Sequence, residues 1–454
     1  MDYQSYLKNK SQTNNNFGFE PIFMPDFLFD FQKHIVEWNL LKGRSATFAD
    51  CGLGKSPMSL VWAENVIRKT NGKVLLCTPL SVSQQFIKES EKFGIEAHRS
   101  KDGTPKSNIT ITNYERLHLF NPVDFTGFVS DESSILKNFK GKIKNTVTEF
   151  IKKMNYRLLC TATASPNDFI ELGTSSEALG YMGFMDMLNC FFKNDTNNSA
   201  IGRKYGEVVK YVFRSHAKEK FWQWVSSWAK AIRKPSDLGF QDDKFILPSL
   251  FENNVVINCS KPLPGKLFVE AAKGWREQKQ EVKQTIKERC EKAAELCQNH
   301  EYSVIWCHLN DEGDTLEKII PDAKEIHGRL KDDAKEELYQ SFSDGQIKKL
   351  IIKPKMGAFG LNWQHCNHSV YFISHSYEQY YQGIRRFYRF GQKKDVVIDR
   401  ILTPGLESIL QNLNRKSNQA DEMFDKLIEY MNNSINMNID RNYTKKEMIP
   451  NWIN

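Results

Sequence analysis

Two short segments, far apart in the chain, hold residues suited to phosphate chemistry. Ala49–Ser56 (ADCGLGKS) fits the pattern [A/G]xxxxGK[S/T] and lies between a short apolar strand and a predicted helix. Backbone N–H groups of such a loop bind phosphate oxygens, the lysine neutralises charge and the hydroxyl ligates magnesium. Gln382–Gln392 (QGIRRFYRFGQ) carries Arg386 and Arg389, three apart and therefore on one face of a predicted helix. Guanidinium groups stabilise charge on a transferred phosphoryl group, so the two segments predict a nucleotide site closed by two lobes.

A carboxylate pair, Asp131-Glu132, follows the apolar run Phe128–Ser130 and therefore marks the carboxyl end of a predicted strand. Ligands of open α/β sheets bind at that edge. One carboxylate would hold Mg²⁺ through water while the other activates the attacking water. An isolated acidic pair is usually a solvated turn, and its place after a strand favours the catalytic interpretation.

The elements that position these residues alternate between strands and helices, which favours parallel sheets covered by helices. Strands are predicted at Ala46–Ala49, Val74–Thr78, Ile109–Thr112, Phe128–Ser130, Arg157–Cys160, Ser303–Cys307, Lys349–Ile352, Val370–Ile373 and Val396–Ile401. Helices are expected between most of them, including Glu378–Phe390. A further helical stretch runs from Pro264 to about Asn299, with Trp275 among the apolar residues at helical spacing. The expected fold class is α/β, with a helical region between two sheet lobes.

The predicted boundaries are a polar tail at 1–24, a first lobe at 25–173, a helical insertion and linker at 174–300, a second lobe at 301–404, and a C-terminal helix with a loose tail at 405–454. The 454 residues carry a net charge of +8, which weakly favours a polyanionic partner. Nine cysteines without paired CxxC spacing fit a reducing compartment. The polar N-terminus lacks a signal core, and no apolar run is long enough for a bilayer, so we expect a cytoplasmic protein.

In their order, these motifs resemble helicase superfamily two, and specifically its Swi/Snf-like branch of translocases. DESSILKN (Asp131–Asn138), TATASPND (Thr161–Asp168) and MGAFGLNW (Met356–Trp363) match successive motifs between the phosphate loop and QGIRRFYRFGQ. The RFGQ ending (Arg389–Gln392) is typical of the branch. The resemblance covers roughly residues 28 to 402. It implies two RecA-like lobes, ATP and Mg²⁺ as cofactors, and DNA, with duplex favoured, as the partner.

The resemblance also implies roles for individual residues. The expected catalytic residues are Lys55, Asp131, Glu132, Arg386 and Arg389. Nucleotide contacts are expected from Gln32, Gly52, Leu53, Gly54, Lys55, Ser56, Gly360 and Gln382, with Ser56 and Asp131 holding Mg²⁺. Nucleic-acid contacts are expected from Thr78, Pro79, Thr112, Tyr114, Thr161, Lys353, Lys355 and Asn362.

Three positions depart from the pattern of the branch. Ser134 replaces a histidine, Ala162 and Ala164 replace a glycine and a proline in the coupling motif, and Lys353-Pro354 stands where relatives have a Ser-Thr pair that touches the nucleic-acid backbone. None of these changes removes a predicted catalytic side chain. We therefore expect hydrolysis to persist, with an altered grip on the nucleic acid.

The segment Phe221–Phe240 is similar to an insertion in compact phage- and prophage-encoded members of the branch, which implies a bacterial host cell and replication or recombination proteins as further partners. Its aromatic residues lie at helical spacing and are more often core than base-stacking platforms. Six basic residues would offer a phosphate-binding face: Arg214, Lys218, Lys220, Lys230, Arg233 and Lys234. The triplet His365-Cys366-x-His368 has no second ligand pair at suitable spacing, so a zinc site is not expected there.

Three functions fit these expectations. The first is an ATP-dependent translocase on DNA, and the second is a helicase that unwinds DNA or RNA strands. The third is a nucleotide-gated DNA clamp or loader with little turnover, which the substitutions at Ser134, Ala162 and Ala164 support modestly.

Overall fold

The computed structural model describes residues 17–194, 211–259, 274–357 and 362–434, together with a few single positions between 260 and 273. The chain forms two units. The first comprises residues up to Asp242 together with the chain from Gln419 onward, and the second comprises Asp243–Asn418.

The first unit is built on a seven-stranded sheet in which every pairing is parallel. Its strands are β1 (Arg44–Ala49), β2 (Val74–Thr78), β3 (Ala97–Arg99), β4 (Ile109–Asn113), β5 (Gly127–Asp131), β6 (Tyr156–Thr161) and β9 (Ala229–Ile232). They lie in the order β3-β4-β2-β5-β6-β1-β9. A separate antiparallel pair is formed by β7 (Phe192–Asn194) and β8 (Tyr211–Phe213). The strands β2, β4 and β5 are buried along their whole length, as expected of a parallel sheet covered on both faces.

The second unit contains a six-stranded sheet that is also parallel throughout. Its strands are β10 (Leu250–Val256), β11 (Ser303–Trp306), β12 (Ala323–Ile326), β13 (Lys349–Ile352), β14 (His368–Phe372) and β15 (Val396–Leu402). They lie in the order β10-β15-β14-β11-β13-β12. The predicted α/β class with two parallel-sheet lobes is therefore confirmed, and all nine predicted strands are present within two residues of their expected ends.

Helices connect and cover the strands of each unit. Those of the first unit are α1 (Asp30–Lys42), α2 (Lys55–Thr70), α3 (Ser83–Phe93), α4 (Lys142–Ile151), α5 (Leu172–Leu179), α6 (Phe184–Phe191) and α7 (Ala217–Ser226). Those that begin in the second are α8 (Trp275–Gln284), α9 (Ile286–Cys297), α10 (Asn310–Ile319), α11 (Asp332–Ser343), α12 (Pro354–Gly357), α13 (Tyr377–Ile384) and α14 (Glu407–Ser434). Within the described ranges, no helix is long and apolar enough to cross a membrane.

The segment predicted as a polar tail is packed from residue 17 onward. The N–H of Phe17 donates to the carbonyl of Lys42, and the N–H of Phe19 donates to that of Leu40. A Cβ at Gly18 would lie 1.8 Å from the Leu40 carbonyl oxygen, so this close approach needs glycine. The rings of Phe17 and Phe19 lie against Tyr181 and Tyr156, so the described end of the expected tail is held against the first unit.

The region 174–300, expected to be mostly helical, is divided between the two units. Its part up to Asp242 belongs to the first unit and contributes β9 to that sheet. Its later part belongs to the second unit and contributes the edge strand β10. Both strands are short or polar: β9 reads AKAI, and β10 is largely exposed and contains Glu252. Neither shows a clear strand pattern in the sequence.

Candidate functional site

The segment after β1 has the backbone of a phosphate-binding loop. Gly52 and Gly54 have φ angles of 91° and 80°, which lie in the left-handed region that favours glycine. Gly54 then caps α2, whose first residue is Lys55. The loop thus presents the N-terminus of a sixteen-residue helix at the carboxyl edge of the sheet. Helix N-termini attract phosphate because their first N–H groups lack partners within the helix.

The side chain of Lys55 folds back over this loop. Its Nζ donates to the carbonyls of Ala49 (2.9 Å) and Asp50 (3.3 Å). The N–H of Asp50 in turn donates to the carbonyl of Ile232 (2.9 Å), so β9 fixes the start of the loop. An ammonium held by two neutral carbonyls can exchange them for phosphate oxygens at low cost, since phosphate is the stronger acceptor.

Gln32 lies against the same loop. Its Oε1 accepts from the N–H of Phe29 (3.0 Å) and its Nε2 donates to the carbonyl of Leu53 (2.9 Å). A Cβ at Gly54 would lie 2.2 Å from that Nε2, which is a second reason for glycine there. An amide has two donor hydrogens and two acceptor lone pairs, and these bonds use one of each. Gln32 therefore anchors the loop to α1, while its contact with a nucleotide stays a prediction.

Asp131 ends β5, and its carboxylate is buried and oriented. The hydroxyl of Thr78 donates to Asp131 Oδ2 (2.9 Å). Burial and the neighbouring charge of Glu132 raise the pKa of Asp131 to about 7, while the charge of Lys55 and the bond from Thr78 act in the opposite direction. The influence of Lys55 places the loop and this carboxylate in one electrostatic site. Such a carboxylate gains from a cation that would replace its lost hydration.

Glu132 adopts a left-handed backbone, with φ and ψ both 50°. This conformation is uncommon for a residue other than glycine, and strained residues of this kind cluster at functional sites. The turn points its carboxylate toward β6, where the hydroxyl of Thr161 lies 3.4 Å from Glu132 Oε2. Thr161 opens the TATASPND segment, so the two motifs are connected through this contact.

Four of the eight expected nucleic-acid contacts are buried side chains with partners in the first unit. Thr78 contacts Asp131, Thr161 contacts Glu132, and Thr112 Oγ1 donates to the carbonyl of Ser100. The hydroxyl of Tyr114 is 2.5 Å from the carbonyl oxygen of Asp131 and 2.7 Å from Ser130 Oγ. Each of these four residues is at most 4% exposed. Thr78, Tyr114 and Thr161 therefore bond to atoms of the acidic pair, whereas Thr112 bonds to the backbone of Ser100.

The other four expected contacts differ in exposure. Lys355 and Asn362 are exposed, and Pro79 is half-buried before a short 3₁₀ turn. Lys353 is also half-buried, and its Nζ donates to Asn310 Oδ1. Gly360, expected at the nucleotide, lies outside the described residues.

The helix that carries the arginines is shorter than predicted. It ends at Ile384 instead of Phe390, so Arg386 and Arg389 lie in the turns that follow α13. At this early end the Nε of Arg386 donates to the carbonyl of Gln382 (2.9 Å), and its backbone N–H donates to the carbonyl of Gly383 (3.2 Å). Its own carbonyl accepts from the N–H of Trp363 (2.9 Å), a residue remote in sequence. The inference that the two arginines share a helix face was therefore wrong.

The two arginines also differ in exposure. Arg386 is 2% exposed, and its Nη2 donates to Gln382 Oε1 (3.0 Å). Gln382 is itself fully buried. Arg386 and Gln382, both expected to contact the nucleotide, thus bond to each other within the second unit. Arg389 is partly exposed, which leaves it as the candidate for contact with a phosphate.

Gln392 is buried and holds two segments together, whereas in the sequence it stood out only as the last residue of the RFGQ motif. Its Nε2 donates to the carbonyls of Cys366 (2.9 Å) and Phe387 (3.1 Å). Its Oε1 accepts from the N–H groups of Lys393 (2.9 Å) and Lys394 (3.0 Å). One side chain therefore ties the arginine-bearing turns to the loop that follows the Met356–Trp363 motif.

The histidine–cysteine triplet has protein partners. Cys366 Sγ lies 3.2 Å from the carbonyl oxygen of His368. The imidazole of His368 lies between Ser303 Oγ (2.9 Å) and Asp399 Oδ2 (3.0 Å), and so links three adjacent strands. No group of three possible metal ligands occurs in the part of the chain that the structure describes.

The tryptophan-rich segment is core, as the helical spacing predicted. Trp222, Trp224 and Trp228 are at most 5% exposed and belong to the main hydrophobic cluster of the first unit. Phe221 is fully buried among them.

Three of the six basic residues of this segment have partners within the first unit. Lys218 pairs with Glu422 (2.6 Å) and Arg233 with Asp425 (2.5 Å), both on α14. Lys230 is 2% exposed, and its Nζ lies 2.7 Å from His34 Nε2. Burial lowers the pKa of Lys230 to about 7. These cations are neutralised or buried within the unit.

Sequence reasoning missed the contribution of α14 to the site. Met423, Phe424 and Leu427 belong to the core cluster of the first unit. The hydroxyl of Ser165, in the TATASPND segment, donates to Met423 Sδ (3.0 Å). The signal was present, because Met423, Leu427 and Met431 recur at four-residue spacing, but it did not indicate which sheet the helix would cover.

Two comparisons with known proteins found similarities. The model of the family "Helicase conserved C-terminal domain" matches residues 281–391. Among solved structures, the Sulfolobus solfataricus SWI2/SNF2 ATPase core in complex with dsDNA is similar at 18% identity and a TM-score of 0.42, over 90% of this chain and 99% of that chain. No curated protein matches the sequence. Residues 281–391 of the second unit are therefore similar to a helicase C-terminal domain, which bears out the predicted resemblance to helicases for this part of the chain.

Proposed function

We propose that the protein is an ATP-dependent motor of the Swi/Snf-like type, which hydrolyses ATP between its two lobes while it tracks along DNA. The observation that carries this proposal is the buried carboxylate of Asp131, oriented by Thr78 and under the influence of the Lys55 ammonium. A glycine loop, a lysine and an acidic pair at one sheet edge form a nucleotide-hydrolysing set. The helicase C-terminal domain in the second unit supports a motor over a static nucleotide-binding protein.

The residues of the first unit fit ATP and magnesium. The Ser56 hydroxyl at the start of α2 and the Asp131 carboxylate offer hard oxygen donors, which Mg²⁺ prefers. Bound magnesium neutralises charge on the β- and γ-phosphates. Lys55 would leave its two carbonyl partners to bind the same phosphates, and Gln32 would keep the loop in place.

Hydrolysis then requires an activated water and a stabilised transition state. Glu132, held by its left-handed turn, is the general base. Arg389 would supply the guanidinium that stabilises charge on the γ-phosphate. Through its contact with Glu132, Thr161 would couple the position of that side chain to the TATASPND segment. Ser165 of this segment would extend the coupling to α14 through its bond to Met423.

The track proposed is duplex DNA, on the strength of the LKN and RFGQ signatures. Contacts mainly to phosphates would make binding salt-sensitive and nearly independent of sequence. A helicase that unwinds forks is the alternative within the same class. Displacement of a triplex strand without unwinding would support translocation, whereas efficient fork unwinding would support the helicase.

Phosphate release with and without DNA tests the proposal, with single-stranded DNA, duplex, forks and RNA compared. The wild type should be stimulated by DNA, and Lys55→Ala should lose that activity. A Lys55→Ala protein with full activity would contradict the assigned site. Turnover below roughly one per minute at saturating DNA, against a median enzyme of about 10 per second, would favour a nucleotide-gated clamp.

A further inference from the structure

The largest aromatic side chain of α8 lies on the surface. Trp275 is 65% exposed, although its helical spacing predicted a buried position. By contrast, the three tryptophans of Phe221–Phe240 are buried. Lys279 Nζ lies 5.3 Å from the centroid of the Trp275 ring, so a cation lies over the ring. An exposed tryptophan beside a lysine is a feature of binding surfaces more than of cores.

The two faces of α8 differ in charge. The face toward the second unit holds Glu281, whose carboxylate is buried and accepts from the N–H groups of Ala272 and Gly405 (2.9 Å each). Gln278 Nε2 donates to the carbonyl of Gly405 (2.8 Å) on the same side. The remaining acidic residue of the helix, Glu277, is half-buried and bound to Lys266 (3.0 Å).

The opposite face carries cations and amides. Arg276, Lys279 and Lys283 are all exposed, together with Gln280 and Gln284. Residues four apart on a helix are separated by about 6 Å along its axis. Trp275, Lys279 and Lys283 therefore form a row about 12 Å long, with the aromatic ring at one end and two ammonium groups following it.

We propose that this face, Trp275-Arg276-Lys279-Lys283, binds a single-stranded nucleic-acid segment by stacking one unpaired base on Trp275 and placing the following phosphates on the lysines. The inference rests on the proposed function, because it gives the motor a contact outside its motifs. Stacking needs a base that is free of its own helix, so an intact duplex can use only the cations.

The charge of the face decides the kind of partner. A protein partner would bury Trp275 against apolar groups, whereas the exposed residues that follow it on the helix are three cations and two amides, without an exposed carboxylate on the helix. Phosphates complement such a surface, and every base offers a ring face for the tryptophan. A DNA substrate with a single-stranded overhang should therefore bind better than a blunt duplex.

The test measures fluorescence anisotropy of a labelled oligo(dT), an oligo(rU) and a blunt hairpin duplex with the full-length protein, without nucleotide. Trp275→Ala should weaken oligo(dT) binding by roughly 5- to 150-fold, the range that corresponds to one stacked base, and leave the duplex unchanged. Trp275→Phe should retain most of the affinity. Lys279→Ala/Lys283→Ala should reduce the slope of log K against log salt by about 1.4, since each single-strand phosphate contact contributes about 0.7. Lys318→Ala, an exposed lysine of the same unit, is the matched control.

The outcomes separate this inference from the proposed function. Unchanged oligo(dT) affinity in Trp275→Ala, or an equal loss on the duplex, would overturn base stacking even if the protein is an active ATPase. No single-strand binding by the wild type would overturn it as well. Loss of stacking in Trp275→Ala would support it even if Lys55→Ala showed that hydrolysis resides elsewhere. Comparison of the affinities for oligo(rU) and oligo(dT) shows whether the strand recognised is RNA or DNA.

Discussion

Replacing Thr78 with valine tests whether this residue serves the nucleotide site or the nucleic acid. Valine keeps the shape of threonine and removes the hydroxyl that donates to Asp131 Oδ2 at 2.9 Å. Thr78 is fully buried, so the change exposes no new surface. The structure assigns its hydroxyl to keeping Asp131 ionised, whereas the sequence resemblance assigned it to DNA.

The size of the effect follows from the hydrogen bond. A bond to a charged group contributes about 1.5–3 kcal/mol, and one pKa unit corresponds to about 1.4 kcal/mol. The pKa of Asp131 is already raised to about 7 by burial and by Glu132, so Thr78→Val should raise it by a further one to two units, roughly. A carboxylate must be ionised to hold a cation. Activity of the free enzyme should therefore rise as pH increases through about 7 in the wild type, and about one to two units higher in the variant.

The assay is kcat/KM for magnesium-ATP between pH 6 and 9.5 at saturating DNA, because this quantity reports the ionisations of the free enzyme. At pH 7 the variant should be roughly 5- to 50-fold less active, because about half of the wild type but only about 1–9% of the variant carries an ionised Asp131, and the difference should shrink at high pH. Thr78→Ser, which restores the hydroxyl, should follow the wild-type profile. An unchanged acid limb in Thr78→Val, combined with weaker DNA binding, would refute the reasoning and return Thr78 to the nucleic-acid surface.

Three further substitutions test separate parts of the structure. Arg389→Ala should bind a fluorescent ATP analogue with unchanged Kd but hydrolyse ATP about 10³-fold more slowly, as loss of an arginine finger does; normal hydrolysis would reject that assignment. Gln392→Ala removes four hydrogen bonds and should destabilise the second unit by about 2–4 kcal/mol in urea unfolding. An unaltered unfolding transition would contradict this stabilising role of Gln392. The pKa of Lys230 is about 7 in the folded protein, against 10.5 in the unfolded chain. The unfolded state therefore binds more protons, and the free energy of unfolding of the wild type should rise from pH 7 to 10. Lys230→Met should be the more stable protein at pH 7, by at most about 5 kcal/mol, with an advantage that disappears toward pH 10; parallel pH curves would refute this.

The parts of the site that sequence predicted are those set by local chain chemistry. The positive φ angles of Gly52 and Gly54 are encoded by glycine itself, and Asp131 ends a strand whose apolar residues mark it. The end of α13 could not be predicted in this way. It depends on the carbonyl of Arg386 meeting the N–H of Trp363, which the fold brings together from outside the helix.

Two stretches of the chain that combine tryptophan with basic residues show the same limit of prediction from sequence. Phe221–Phe240 has three tryptophans among basic residues, and α8 begins with a single tryptophan, Trp275, followed by basic residues. The tryptophans of the first stretch are buried, and α14, about 200 residues later, supplies Met423 and Phe424 to the same core and acidic partners to Lys218 and Arg233. Trp275 lies on the surface, with Lys279 of the same helix beside its ring. Tryptophan near basic residues thus belongs to a core in one place and to a candidate binding surface in the other, because the deciding residues lie on the element that packs there.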